Sequence, residues 1–182
     1  MTNRKREIDL LWTDISDVFL QIKNIDHITL LSSLIEVVKR HEEAINKLLN
    51  DEHRTQKVYF LEDVKMFFNF ILKMDPKKYI LGSTGDNFES IAINYINRFP
   101  KSDIEVWKRL SNFIKDLITF TSTEICPQCK SDHLRIYTDI KGLGIYKSCA
   151  TCFSIKSNGN NVLRIDSLIP VDKILLKNEG YI

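Results

Sequence analysis

The chain has 182 residues, of which 43% are hydrophobic, 27% charged and 10% aromatic, and this composition favours packed cores over disorder. The formal net charge is only +2, so the sequence lacks the large basic excess that is typical of nucleic-acid-binding proteins. No apolar run approaches the roughly 20 residues that a membrane-spanning helix needs. Acidic residues also interrupt the N-terminal stretch too early for a signal peptide. We therefore expect a cytoplasmic protein without a membrane segment.

Residues 1–120 carry apolar side chains at three- and four-residue steps, the spacing of amphipathic helices. The predicted helices cover Ile8–Ile22, Ile28 to about Asn50, Val58–Met74, Phe88–Ile96 and Ile104–Leu117. Asp86 and Ser102 each precede a glutamate by three residues, a pattern that predicts an N-terminal capping box. The sequence thus predicts a bundle of about five helices over 1–120, and we assign this region to no family.

Residues 121–182 show a different pattern, because short β-prone runs alternate with turn residues. The predicted strands are Leu134–Tyr137, Gly144–Lys147, Phe153–Lys156 and Val162–Ile165. A short helix is predicted over Val171–Asn178, with Pro170 at its entry. The predicted fold class is α+β, with a helical domain over 1–120 and a small β domain over 121–182.

All four cysteines of the chain lie in this second region, in two Cys-x-x-Cys pairs. Cys126 pairs with Cys129, and Cys149 pairs with Cys152. Two intervening residues let one tight turn present both sulfurs to a single metal ion, and zinc favours four tetrahedral thiolates. In a reducing compartment such pairs favour metal binding over disulfides. A redox dithiol or an iron–sulfur centre also uses paired thiols, and His133 could replace one ligand.

Residues of about 123–166 resemble a zinc ribbon, a family in which two Cys-x-x-Cys turns cap β-hairpins around one zinc ion. The resemblance implies that Cys126, Cys129, Cys149 and Cys152 are the zinc ligands. Lys130 and Phe153 stand where many zinc ribbons have glycine. A catalytic zinc keeps one position open for water, whereas four thiolates close the coordination shell. We therefore expect one structural Zn²⁺ that folds a module too small to fold alone.

Other motifs are weaker. His41 and Glu42 begin like a metalloprotease motif, but position 45 is Ile instead of the second histidine. The turn Gly82–Asp86 could cradle an anion, but it lacks the ending of a phosphate loop, so we interpret it as a helix-start turn. The phenylalanines of the third predicted helix indicate a central helix of the bundle, or else a groove for a partner. These phenylalanines are Phe60, Phe67, Phe68 and Phe70.

Basic and aromatic side chains alternate along the predicted strands. Arg135 and Tyr137 fall on one face of a strand, and with Lys130 and Lys147 they could contact phosphates and stack on bases. The competing interpretation is that a small β module simply covers its solvent face with Lys, Arg and Tyr.

We predict a non-catalytic, protein-binding protein, because the sequence offers a complete structural metal site and no acid–base or cofactor motif. A narrower hypothesis is an immunity protein or antitoxin, which needs only a surface complementary to one toxin. The alternative is a zinc-ribbon regulator that contacts nucleic acid in transcription, replication or phage biology. The sequence does not identify the partner, and an enzyme site assembled from scattered polar residues of the bundle stays a third, less favoured hypothesis.

Overall fold

The computed structural model describes residues 2–50, 61–97, 103–157 and 167–182. Within these residues the protein is α+β, as predicted, with helices before an antiparallel sheet and a short helix at the C-terminus. The chain divides into two compact units, which we call the helical unit (1–76 and 87–114) and the sheet unit (77–86 and 115–182). The sheet unit thus includes residues 77–86, which lie before two of the helices in sequence. The domain boundary at 120/121 stays a prediction.

Six described α-helices precede the sheet. They are α1 (Thr2–Leu20), α2 (His27–Arg40), α3 (Glu42–Leu49), α4 (Leu61–Lys73), α5 (Phe88–Asn97) and α6 (Asp103–Ile118). Oxygen side chains cap two of them at the N-terminus. Asp26 accepts a hydrogen bond from the Thr29 amide at 2.8 Å, and Asn87 accepts one from the Ser90 amide at 2.9 Å.

The core of the helical unit forms where the apolar stripes of these helices meet. Helix α1 packs against α2 and α5, and α2 packs against α4. Aromatic rings join α6 to this core: Phe68 meets Trp107 edge-on at 5.2 Å, and Phe19 lies 4.6 Å from Phe113. Several large side chains are fully buried, as the sequence stripes predict. They include Ile15, Phe19, Leu31, Ile45, Phe68, Trp107 and Leu110.

Two details of the helical prediction are wrong. The stripe from Ile28 to Asn50 forms two helices, because the chain breaks at His41, whose ring and the preceding Arg40 both bond to Asp14. The residue that caps α5 is Asn87 instead of Asp86.

Some predicted residues fall outside the described part of the chain, among them Ser102 of the second capping box and Phe60 of the phenylalanine cluster. In that cluster Phe67 and Phe68 are buried, and Phe70 is half-buried. These positions agree with a core role for this helix.

Five antiparallel strands and one complete α-helix lie in the described part of the sheet unit. The strands are β1 (Phe120–Ile125), β2 (His133–Thr138), β3 (Ile145–Cys149), β4 (Ile155–Ser157) and β5 (Ile169–Pro170), and α7 is Lys173–Asn178. The order is β1-β2-β3-β4, and β5 pairs with β2 just beyond the start of β1. The β1–β2 register shifts between Thr121 and Ile125, which indicates a bulge just before the first cysteine.

The predictions for β2, β3, β4 and α7 are confirmed to within a few residues, whereas β1 and β5 are not among the predicted strands. The predicted strand Val162–Ile165 lies outside the described residues. None of the described helices combines the length and the apolar character needed to cross a membrane.

The apolar core of the sheet unit is divided into small clusters. One contains Ile136 with Val171 and Leu176, and Ile80, Phe120 and Tyr181 are among the residues packed on it. The other contains Leu134 with Cys126 and Cys149. This second cluster has a single aliphatic side chain beside the cysteines, so it buries little apolar surface of its own.

Candidate metal centre

The four cysteines come together because two chain reversals lie at the same end of the sheet. Cys126 and Cys129 lie in the connection between β1 and β2, and Cys149 ends β3, one turn before Cys152. Strand β2 starts and the antiparallel strand β3 ends at this point, since Leu134 pairs with Cys149. We call the two reversals the first turn (Cys126–Lys130) and the second turn (Cys149–Phe153).

The sulfur atoms form a compact group. All four Sγ atoms lie within 4.8 Å of one another. The Cys126 and Cys152 sulfurs are 3.6 Å apart, and the Cys129 and Cys149 sulfurs are 3.5 Å apart. Both close contacts therefore join one turn to the other, and all four cysteines are free thiols.

The backbone of the two turns is arranged in the same way. The Lys130 amide donates to the Cys126 carbonyl at 2.9 Å, and the Phe153 amide donates to the Cys149 carbonyl at 3.0 Å. Lys130 and Phe153 both have a φ of 56°, in the left-handed region that glycine adopts most readily. The two positions at which many zinc ribbons have glycine are thus the two positions in the described chain where a non-glycine residue has a positive φ.

Amide groups also point at the first sulfur of each turn. Hydrogen bonds from the backbone of Cys129, from the Ser154 hydroxyl and from the backbone of Gln128 lower the pKa of Cys126 to about 6. Burial raises the pKa of Cys149 to about 11, against hydrogen bonds from the Cys152 and Thr151 amides. A second thiolate in such a small group needs a cation beside it, because like charges at this separation repel strongly.

Two polar side chains hold the turns together, and the sequence carries no signal for either. The Ser154 hydroxyl lies 3.2 Å from the Cys152 sulfur and 3.5 Å from the Cys126 sulfur. Asp132 accepts hydrogen bonds from the His133 amide at 2.8 Å and from the Thr151 hydroxyl at 3.3 Å. Such outer contacts orient sulfur ligands around an ion.

The arrangement fits a tetrahedral thiolate site. With a Zn–S bond of about 2.3 Å, tetrahedral geometry requires sulfur–sulfur distances of about 3.8 Å. The two close sulfur–sulfur contacts, at 3.6 Å and 3.5 Å, fall slightly below this value, and no pair of sulfurs exceeds 4.8 Å. The four cysteines can therefore hold a metal ion with only small side-chain movements.

The basic and aromatic residues of β2 lie in a different environment from the predicted one. Arg135 donates to Asp116 at 2.9 Å and to Asp86 at 3.3 Å, and its side chain is 17% exposed. The Tyr137 ring is buried, and Lys115 lies 5.4 Å from its centre. We call Arg135, Asp86 and Asp116 the ionic cluster. Arg135 is thus occupied by two carboxylates, and Tyr137 offers no ring face for stacking.

The other two basic residues predicted for nucleic acid differ from each other. Lys147 forms an ion pair with Glu124 and lies 5.6 Å from the ring centre of Tyr181. Lys130 is exposed on the first turn. Contact with nucleic acid stays a prediction, and of the four residues named for it only Lys130 is fully exposed.

The turn Gly82–Asp86 is engaged by its own neighbours in the sheet unit. The Gly82 amide donates to the Leu117 carbonyl at 2.8 Å. The Ser83 hydroxyl donates to the Thr119 carbonyl at 2.9 Å and accepts from the Thr121 amide at 3.0 Å. Its polar groups therefore fix the start of β1 and are not directed toward an anion.

Comparison with known proteins gives no relative from which to interpret this site: no family model, curated protein or solved structure matches the chain. The functional interpretation therefore depends on the residues and their geometry.

Proposed function

We propose that Cys126, Cys129, Cys149 and Cys152 hold one zinc ion and that the ion is structural. The convergence of four sulfurs from two turns of the same geometry supports this proposal. Zinc suits a small all-thiolate tetrahedron, and four protein ligands leave no position for a substrate. Binding such an ion would supply folding free energy to a sheet end that has one aliphatic core residue.

Metal analysis of protein purified under reducing conditions tests this proposal. We expect about one zinc per chain, and less than a tenth of that in Cys126→Ser. His133→Ala is the matched control and should keep the full zinc content, because His133 is exposed at the start of β2. Iron with visible absorbance would support an iron–sulfur centre instead, and a metal-free oxidised protein would support a redox dithiol.

We propose further that the chain is a non-catalytic protein-binding protein. The support is again the metal centre: an ion shared by two turns would hold their outward side chains in a fixed arrangement. A surface that is rigid before binding loses less entropy on association. The basic and aromatic side chains of β2 engage internal partners, which favours a protein over a phosphate backbone as the ligand.

Purification of the tagged chain from its native host tests the protein-binding proposal. We expect one stoichiometric protein that remains bound after nuclease treatment. Loss of the partner on nuclease treatment, or a mobility shift of DNA or RNA that weakens steeply between low and moderate salt, would support the nucleic-acid alternative.

A narrower form of the proposal is that the partner is a toxin. Neutralisation requires a complementary surface and no chemistry, which is compatible with a structural ion. Co-expression with the product of an adjacent gene tests this form. Rescue of growth together with a stoichiometric complex would support it, and a toxic product whose effect the chain leaves unchanged would contradict it.

A further inference from the structure

Phe153 combines two features that are unfavourable for the stability of the fold. Its φ of 56° places a bulky side chain in the left-handed region, where Cβ crowds the backbone. Its side chain is also 72% exposed, so the aromatic ring gains little from burial. A bulky residue with positive φ is a true outlier, and such residues cluster at functional sites.

The fold needs the backbone of Phe153 but does not need its ring. The amide donates to the Cys149 carbonyl at 3.0 Å and closes the second turn. Glycine would make the same hydrogen bond and would adopt the same φ without steric cost. The presence of phenylalanine is therefore explained by something outside the unit's own stability.

The charges around Phe153 indicate what the ring meets. Lys130, at the equivalent position of the first turn, is exposed, and so is Lys156 on the adjoining strand β4. The one carboxylate of the two turns and their connection to β2 belongs to Asp132, which is half-buried and accepts hydrogen bonds from His133 and Thr151. The exposed charges of the two turns and of the start of β4 are thus the cations Lys130 and Lys156.

We propose that Phe153 is the anchor through which the second turn docks into an apolar pocket of a protein partner. The rim of that pocket carries carboxylates that face Lys130 and Lys156. The inference rests on the proposed protein-binding function and deepens it by naming the contact. A buried aromatic side chain with a charged rim is the usual form of an interface hot spot. A symmetric contact between the second turns of two copies would bring like charges together, so this pairing does not fit the proposed pocket.

The test first identifies the partner and then measures its affinity. Benzoylphenylalanine is introduced at position 153, or at position 143 as the control, and cross-linking is carried out in the native host. Leu143 is the matched site, because it is 79% exposed on the β2–β3 turn, away from the cysteines. We expect one protein to be cross-linked from position 153 and not from position 143.

The purified partner is then titrated against the wild type and three variants of the zinc-loaded full chain. Phe153→Gly should bind at least tenfold more weakly than the wild type, while Leu143→Ser binds within about twofold of it. The melting temperature of Phe153→Gly should equal or exceed that of the wild type, because the substitution relieves the backbone. Lys130→Gly relieves the same backbone strain and should reduce the dependence of affinity on salt.

Each other outcome overturns the inference. If a stoichiometric partner binds Phe153→Gly as tightly as the wild type, the anchor is wrong and the protein-binding function stands. If the melting temperature of Phe153→Gly falls, the ring has a structural role. Cross-links from position 153 to nucleic acid or to a second copy would mean that the ring contacts one of these and not a different protein. If the host yields no protein partner at all, the proposed function fails together with the inference.

Discussion

The two units of the protein reach stability in different ways. The helical unit buries large apolar side chains, such as Trp107 and Phe68, which meet edge-on at 5.2 Å. The sheet unit has small separate clusters, one of which contains four cysteines and one aliphatic side chain. The contrast teaches that the first unit can rely on buried apolar area, whereas the second has little such area around its cysteines, which is where the proposed zinc ion would contribute.

Removing the metal is expected to have the largest effect and to separate the two units. Cys149→Ser, or a strong chelator, should unfold the sheet unit, because structural zinc contributes on the order of 10 kcal/mol to such small modules. Most of the helical circular dichroism should remain, since the core of the helical unit contains no cysteine. Amide hydrogen exchange locates the loss, with His133→Ala as the control. Loss of all helical signal would mean that the two units unfold together.

Trp107→Ala should destabilise the helical unit through lost burial, and leave the metal centre intact. Trp107 is 0% exposed, and truncating a large buried aromatic residue costs about 3–5 kcal/mol through lost burial and the cavity that remains. The zinc content should stay at one per chain. Denaturant unfolding followed by circular dichroism measures the change, and Leu20→Ala, at a 68% exposed position, should change it little. A similar loss in both variants would mean that burial does not determine the cost of truncation in this unit.

The ionic cluster allows a more specific test in the sheet unit. Arg135→Met should cost about 2 kcal/mol at neutral pH, because Asp116 is then left half-buried without its counter-charge. Burial raises the pKa of Asp116 even though Arg135 opposes the shift. Loss of Arg135 raises it further, so the folded state takes up a proton and the deficit should shrink as pH falls from 7 toward 4.

Unfolding at several pH values measures this effect. Arg135→Met combined with Asp116→Leu should recover part of the loss, because only the carboxylate of Asp86, which lies farther from Arg135, is then left without that counter-charge. A deficit that does not change with pH would mean that the damage is one of packing alone.

Asp14→Asn should give the smallest effect, in the helical unit. The carboxylate accepts hydrogen bonds from His41 at 2.9 Å and from Arg40 at 2.8 Å, and the hydrogen bond with His41 is the main cause that lowers the pKa of Asp14. The stability that it provides is therefore complete above the ordinary aspartate pKa and is lost as pH falls below about 4.

For this partly exposed group we expect a loss of about 1 kcal/mol at neutral pH and a flatter acid limb of the stability curve. Asp17→Asn, at an exposed position of the same helix, is the control. Equal effects of Asp14→Asn and Asp17→Asn would mean that the hydrogen bonds of Asp14 with Arg40 and His41 add no stability.

Much of the fold follows from sequence periodicity, and what was missed depends on tertiary partners. The apolar stripes predict α1 and the burial of Leu31, Ile35 and Ile45, but they cannot show that Asp14 draws Arg40 and His41 into a break between helices. Capping differs for the same reason. Asp86 fits a capping box locally, yet in the structure it pairs with Arg135, and the next residue caps the helix.

The candidate site was predictable to the level of its four cysteines. Spacing alone groups Cys126, Cys129, Cys149 and Cys152, since a tight turn presents both sulfurs of each pair. The environment of Arg135 was not predictable, because alternation along a strand assigns a face but not what covers that face. The side chain of Arg135 contacts Asp86, which lies 49 positions earlier in the chain, in the segment 77–86 of the sheet unit.

That early segment constrains how the protein can be made. Ile80 packs in the same cluster as Ile136, Val171 and Leu176, so the sheet unit draws on three distant stretches of one polypeptide. During synthesis this apolar cluster cannot be completed until α7 has left the ribosome, long after Ile80 has emerged. A fragment that begins at residue 121 would contain every cysteine but would lack Ile80 and Phe120, which pack against the apolar cluster of the sheet unit.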